Sequence, residues 1–109
     1  MQTHGPHRGD LLVLGWGSTF GPLRAAVKRR QARGESVAWA HLRHLHPLPA
    51  NVGEVLARYK KILVPELNAG QLATLLRSRF PADVRTLSKL KGMPFYEGEI
   101  ELSIEEHVG

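Results

Sequence analysis

The sequence predicts an α/β domain of three layers, with helices on both faces of a mainly parallel sheet. Two patterns carry this. The run Leu11–Leu14 is apolar at every position, as expected of a strand covered on both faces. Strand-like runs then alternate with helix-like runs through short connections, which is the signature of βαβ units. Length and composition agree. The 109 residues, 42% hydrophobic, suffice for one small core, and with only 6% aromatics that core must be built from Leu, Val, Ile and Ala.

Residues 1–9 contain Gly5, Pro6 and Gly9 without periodicity and read as a disordered leader before a domain at 10–96. After the first strand, Gly15–Thr19 forms a turn. Leu23, Ala26 and Val27 recur at helical spacing, Pro22 suits the first helical turn, and Gly34 is a C-cap candidate. The second strand is Ser36–Leu45, with Val37, Trp39, His41 and Arg43 on one face and Ala38, Ala40, Leu42 and His44 on the other. Pro47 and Pro49 stop it. Asn51 and Glu54 suggest a capping pair for a helix with the stripe Val52, Val55, Leu56 and Tyr59, and Lys60 and Lys61 suit its C-terminus. Ile62–Val64 is a short third strand closed by Pro65, Gln71–Phe80 a third helix, and Asp83–Leu90 a fourth strand. The end, 97–109, is an acidic tail read as a short helix, with an edge strand as the alternative. Right-handed crossovers and a doubly wound sheet give the strand order 2-1-3-4.

Charge is unevenly distributed. Net charge is +5, but through Lys91 there are fifteen Lys/Arg against five Asp/Glu, a balance of +10, and the tail holds five Glu and no cation. Such a body calls for an acidic partner, a nucleic acid, or the tail itself. The absence of cysteine excludes disulfides, thiolate nucleophiles and cysteine-ligated clusters or zinc in these residues. With no secretory-type or membrane-length apolar run, the expected setting is the cytoplasm, away from membranes.

The stretch GWGSTFGP raises the question of a nucleotide. Its glycines, Gly15, Gly17 and Gly21, are spaced G-x-G-x-x-x-G rather than G-x-G-x-x-G, Trp16 sits inside the loop, and the second strand ends without a carboxylate. No Gly-Lys-Ser/Thr follows, which rules out a P-loop. The position still matters: in a 2-1-3-4 sheet the loops after strands 1 and 3 flank the switch-point crevice, and both lead into helix N-termini. Ser18, Thr19, Asn68 and Gln71 would add donors there, or would cap their own helices. His44 and His46 could share a metal, but no third ligand accompanies them. Ser18 lacks a nucleophile elbow. Glu66, at a strand end, is either a general base or a carboxylate stabilised at a helix N-terminus. Arg24, Lys28, Arg29, Arg30 and Arg33 form a basic helix face without interleaved aromatics, which disfavours nucleic acid.

Together, DLLVLGWGSTFGPLRAAV, VAWAHLRHLHPLP, LVPELNAGQLATLLRSRF and LSKLKGMPF resemble, in order and over about residues 10–96, the C-terminal domain of the alpha subunit of 2-oxoglutarate:ferredoxin oxidoreductases, within the wider 2-oxoacid:ferredoxin oxidoreductase family. The resemblance implies a transketolase C-terminal-like fold. It also implies membership of enzymes that oxidatively decarboxylate a 2-oxoacid with coenzyme A, using thiamine diphosphate, magnesium and iron–sulfur clusters held elsewhere. This chain would bind none of these cofactors and would be inactive alone. Its expected work is scaffold and interface, toward the cofactor-binding domain of the alpha subunit and toward the beta subunit. Gly15, Gly17, Ser18, Thr19, Glu66, Asn68, Gly70 and Gln71 would face that junction, with Arg43 as a charged contact. Two departures stand out: His46 replaces an Asn common in the family, and the polar leader is too short to supply the family's extra antiparallel strand. The resulting bare sheet edge would invite self-association. The other readings of the residues are a small-anion or nucleotide-binding module at the same crevice and a basic nucleic-acid adaptor.

Overall fold

The computed structural model describes residues 1–16, 20–43, 48–67, 71–89 and 96–108. In chain order the elements are β1 (Gly9–Trp16), α1 (Phe20–Ala32), β2 (Val37–Leu42), α2 (Val52–Leu56), β3 (Tyr59–Leu67), α3 (Gln71–Arg79), β4 (Val84–Lys89) and α4 (Glu97–His107). All four strands are parallel, in the order β2-β1-β3-β4. Strand alternation sends successive side chains to opposite faces. On one face Leu12, Leu14, Ala38, Ala40, Leu42, Ile62 and Val64 meet α2 and α3. On the other, Leu11, Val13, Val37, Trp39 and Leu63 meet Leu23, Ala26 and Val27 of α1 and Ile100 and Ile104 of α4. The apolar run Leu11–Leu14 of β1 thus has the double cover its composition requires.

Pro22 falls in the first turn of α1, where its missing N–H leaves no bond unmade. Gly34 follows the helix at φ 84° and donates its N–H to the Gln31 carbonyl, as a C-cap glycine does.

Four sequence expectations change. The helix at Val52 ends at Leu56, and β3 is far longer than Ile62–Val64: Tyr59 and Lys61 already pair with Gly9 and Leu11 of β1. Tyr59, Lys60 and Lys61, expected at the end of this helix, belong to β3 instead, where pairing with β1 outweighs the helical spacing. Asn51 does not cap α2 with its side chain. Its amide is instead engaged by residue 1, accepting from the Met1 nitrogen at 2.6 Å and donating to the Met1 carbonyl at 2.9 Å. Pro65 does not close β3 but pairs with Leu87 inside the β3–β4 ladder. The Ile62 N–H donates to the Asp83 carbonyl on the β4 side, so by alternation Pro65 turns its missing N–H toward β1. The β1–β3 ladder has ended by then, at Val13 and Leu63. No ladder bond is lost.

The fourth change concerns the leader. His4 forms an antiparallel bridge with Trp39 of β2, through N–H···O contacts of 2.8 and 3.1 Å, and their rings stack at 4.1 Å. Gln31 donates to the His4 carbonyl and Tyr59 to the Pro6 carbonyl, at 3.2 and 2.7 Å. Polar contacts from distant residues hold this segment, so hydrophobic periodicity could not reveal it. It supplies one bridge of the antiparallel cover expected to be missing. The outer edge of β4 pairs with no strand among the described residues. The second strand's predicted continuation past Arg43, with His44 and His46, lies outside the described residues.

The tail is a helix, not an edge strand. Ile100 and Ile104, four apart, are fully buried against the sheet. Glu99, at the third helical position, reaches back to accept from the Tyr96 N–H at 3.2 Å. The acidic side chains meet the basic helix: Arg29 pairs with Glu97 and Glu101, Arg33 with Glu101, and the buried Arg30 with Glu105 and Glu35.

Candidate functional site

The topology brings the ends of β1 and β3 to one rim. Their ladder stops at Val13–Leu63, while β1 continues beside β2 to Trp16–Leu42 and β3 continues beside β4 to Leu67–Lys89. The two strands therefore splay apart at their C-terminal ends, as a switch point requires.

Glu66 and Trp16 join across this splay. The Trp16 indole N–H donates to Glu66 Oε1 at 2.8 Å. The same oxygen accepts from the Leu72 backbone N–H at 2.6 Å, and Oε2 accepts from the Ala73 N–H at 3.0 Å. Glu66 is 1% exposed. Three donors on two oxygens, at the positive end of α3, satisfy an otherwise costly buried carboxylate. These bonds are those expected of a carboxylate stabilised at a helix N-terminus: both oxygens of Glu66 accept from the first turn of α3.

This arrangement bears on the anion-binding reading. The amides of Leu72 and Ala73, which a phosphate at α3 would need, are already taken by the protein's own carboxylate, and a second anion beside Glu66 would be repelled. Gly15 is buried and pairs with His41, while Gln71 is exposed at the first position of α3. Gly17, Ser18, Thr19, Asn68 and Gly70 lie outside the described residues. Arg43 is exposed and does not join Glu66. It lines a groove beyond β2, with Arg24 and Lys28 of α1.

The basic helix face is largely spoken for. Three of its five cations, Arg29, Arg30 and Arg33, pair with carboxylates, which removes the core of the nucleic-acid reading. Among the described residues, no three His, Cys, Asp or Glu cluster as metal ligands would.

Sequence reasoning missed the Trp16–Glu66 contact and the burial of Arg30. The first had a signal: an acidic residue ending a strand just before a helix. Its aromatic partner, fifty residues away, had none.

Comparison with known proteins agrees with this architecture. Residues 9–100 match the family model described as pyruvate:ferredoxin oxidoreductase core domain II. The chain is 53% identical over 91 residues to the 2-oxoglutarate oxidoreductase subunit KorA of Mycobacterium tuberculosis, covering 84% of this chain and 14% of that subunit. It is 32% identical over 102 residues to the alpha subunit of 2-oxoacid:ferredoxin oxidoreductase 1 of Aeropyrum pernix, covering 89% of this chain and 16% of that subunit. It therefore spans about a seventh of the length of these relatives. Among solved structures, the 2-oxoglutarate:ferredoxin oxidoreductase of Magnetococcus marinus, with 2-oxoglutarate, coenzyme A and succinyl-CoA bound, superposes with a TM-score of 0.90 at 30% identity, over 97% of this chain and 19% of that one. A split-gene transketolase, an inactive beta4 tetramer, superposes at 0.72 and 13% identity over 97% of this chain and 41% of that one, and shares the fold.

Proposed function

Because the chain belongs to the pyruvate:ferredoxin oxidoreductase core domain II family, we propose that it is the non-catalytic, interface-forming domain of the alpha subunit of a 2-oxoacid:ferredoxin oxidoreductase acting on 2-oxoglutarate. The single observation that carries this reading is the 53% identity to a 2-oxoglutarate oxidoreductase subunit across most of the chain. The complete enzyme would couple decarboxylation of the 2-oxoacid to coenzyme A acylation and ferredoxin reduction in the cytoplasm. Thiamine diphosphate with magnesium, coenzyme A and the iron–sulfur clusters would be held by other domains and the beta subunit.

The residues here do not fit those groups. There is no cysteine to ligate a cluster. Glu66 fills the anion position at α3 that a diphosphate would use, and both its oxygens are engaged. What the crevice offers is a rim at which the ends of β1 and β3 are tied together by the Trp16–Glu66 hydrogen bond. Such a rim suits contact with the cofactor-binding domain, with Gly15, Gly17, Ser18, Thr19, Asn68, Gly70 and Gln71 facing it. The outer edge of β4, which pairs with no strand among the described residues, is the place for any pairing with a second copy.

The test is complementation. An alpha subunit lacking this domain is combined with the beta subunit, with and without this chain in trans. Binding of the chain and recovery of coenzyme-A-dependent 2-oxoglutarate oxidation, with no turnover by the chain alone, is the expected result. Turnover by the chain alone, or failure to bind, would overturn the reading.

A further inference from the structure

The paired and unpaired cations of α1 lie on different sides of the helix, and the unpaired side lines a groove. Arg29, Arg30 and Arg33 are neutralised by glutamates of α4 and by Glu35. Arg24 and Lys28, one turn apart, look instead into a groove of about 850 Å³ between α1 and the outer edge of β2. Arg43 adds a third fixed positive charge, and His4, stacked on Trp39, forms part of the wall. Among the described residues no Asp or Glu lines this groove, and none forms a salt bridge with Arg24, Lys28 or Arg43.

We propose that this groove docks an acidic polypeptide segment from another part of the assembled enzyme. The inference rests on the interface role given above and names the chemistry of one partner surface. Charge complementarity is the argument. Three exposed cations, two on α1 and one just past the end of β2, with no compensating anion among the described residues, form a field that attracts carboxylates and aligns them. Their separation on different elements suits carboxylates distributed along a chain rather than one compact anion. The molecule already recognises such a ligand next door: α4 presents Glu97, Glu101 and Glu105 at successive turns to the adjacent side of α1. Nucleic acid is disfavoured because Trp39, the groove's large aromatic, is 6% exposed beneath His4 and offers no stacking face.

The experiment has two arms. In the complemented enzyme, zero-length carbodiimide cross-linking followed by peptide mapping should join Lys28 to a carboxylate of a partner polypeptide. The surface triple variant R24E/K28E/R43E, with an unchanged circular dichroism spectrum, should bind the remaining subunits at least about tenfold more weakly, and the deficit should shrink as salt rises. The control variant R8E/K60E, on the opposite end of the strands, should bind as the parent does. Parental binding by the triple variant, or cross-links that avoid Lys28, would overturn the proposal. The second arm uses the chain alone, with poly-L-glutamate, inorganic phosphate and duplex DNA as probes and amide chemical shifts as the readout. Poly-L-glutamate should perturb residues 24, 28 and 43 most strongly. A stronger response there to phosphate or DNA, or no response to poly-L-glutamate, would reject the acidic-polypeptide assignment. If the chain fails to bind its subunits yet poly-L-glutamate titrates the groove, the interface role falls and the groove's chemistry stands.

Discussion

Glu66 concentrates more of the molecule's organisation than any other polar residue described. Replacing it with Gln keeps one acceptor but turns an NH2 group toward donors that need an oxygen. Loss of charge-assisted bonds in a buried place costs about 2–3 kcal/mol. Chemical denaturation of E66Q should show that loss. Trp16→Phe removes one donor and should cost about 1 kcal/mol. Because the two side chains share a bond, the double variant should lose less than the sum of the singles, which a double-mutant cycle measures. Asp83 and Arg85 make a different kind of pair. The hydrogen bond from Arg85, aided by its charge, holds the Asp83 carboxyl below its ordinary value of 3.8. A depressed carboxyl binds fewer protons folded than unfolded, so its contribution is complete above about pH 3.8 and fades as pH falls through the folded value. Acid titrations of wild type and D83N should therefore differ in slope only at that acidic end, and slightly, since the pair lies on the surface. Glu66 was legible as a helix-end carboxylate, because its neighbours in sequence announce a helix. Its tie to Trp16 was not, because nothing local encodes a contact across fifty residues.

The helices and strands were legible wherever periodicity was strong and failed where two periods overlapped. Leu23, Ala26 and Val27 announced the buried side of α1, and the apolar run Leu11–Leu14 announced the double cover of β1. Tyr59–Lys61 read as the end of a helix, but pairing with β1 makes them the start of β3. The acidic helix α4 carried both signals, isoleucines at i and i+4 and opposite charge to α1. Apolar burial dominates its attachment: Ile104→Ala should cost about 3 kcal/mol, whereas reversing the partly exposed Glu101 should cost under about 1 kcal/mol. Thermal melts of both variants check this ordering. Deleting residues 97–109 should lower thermal stability and, by uncovering Arg29, Arg30 and Arg33, lengthen retention on a cation exchanger. A shortened chain that melts like the parent would refute the docking of α4.

Taken together, the molecule uses its two ends as covers. Residues before β1 shield part of the β2 edge, and α4 completes one face of the sheet. Part of the contrast between basic body and acidic tail, conspicuous in composition, is internal: Glu97, Glu101 and Glu105 pair with Arg29, Arg30 and Arg33, while Arg24, Lys28 and Arg43 at the groove beside β2 form no salt bridge among the described residues. That distribution could not be read from counts, since sequence gives the total charge but not which side of α1 each arginine occupies once α4 has docked.

The placement of α4 also has a temporal side. The bond that Arg29 donates to its Glu97 spans 68 residues. At roughly 5–20 residues per second, a ribosome needs roughly 3–14 seconds to travel between them. Once β3 is made and until α4 follows, Leu63 lacks its cover on that face, a window in which a chaperone, or premature capture by a sister chain, competes with α4 for the same surface.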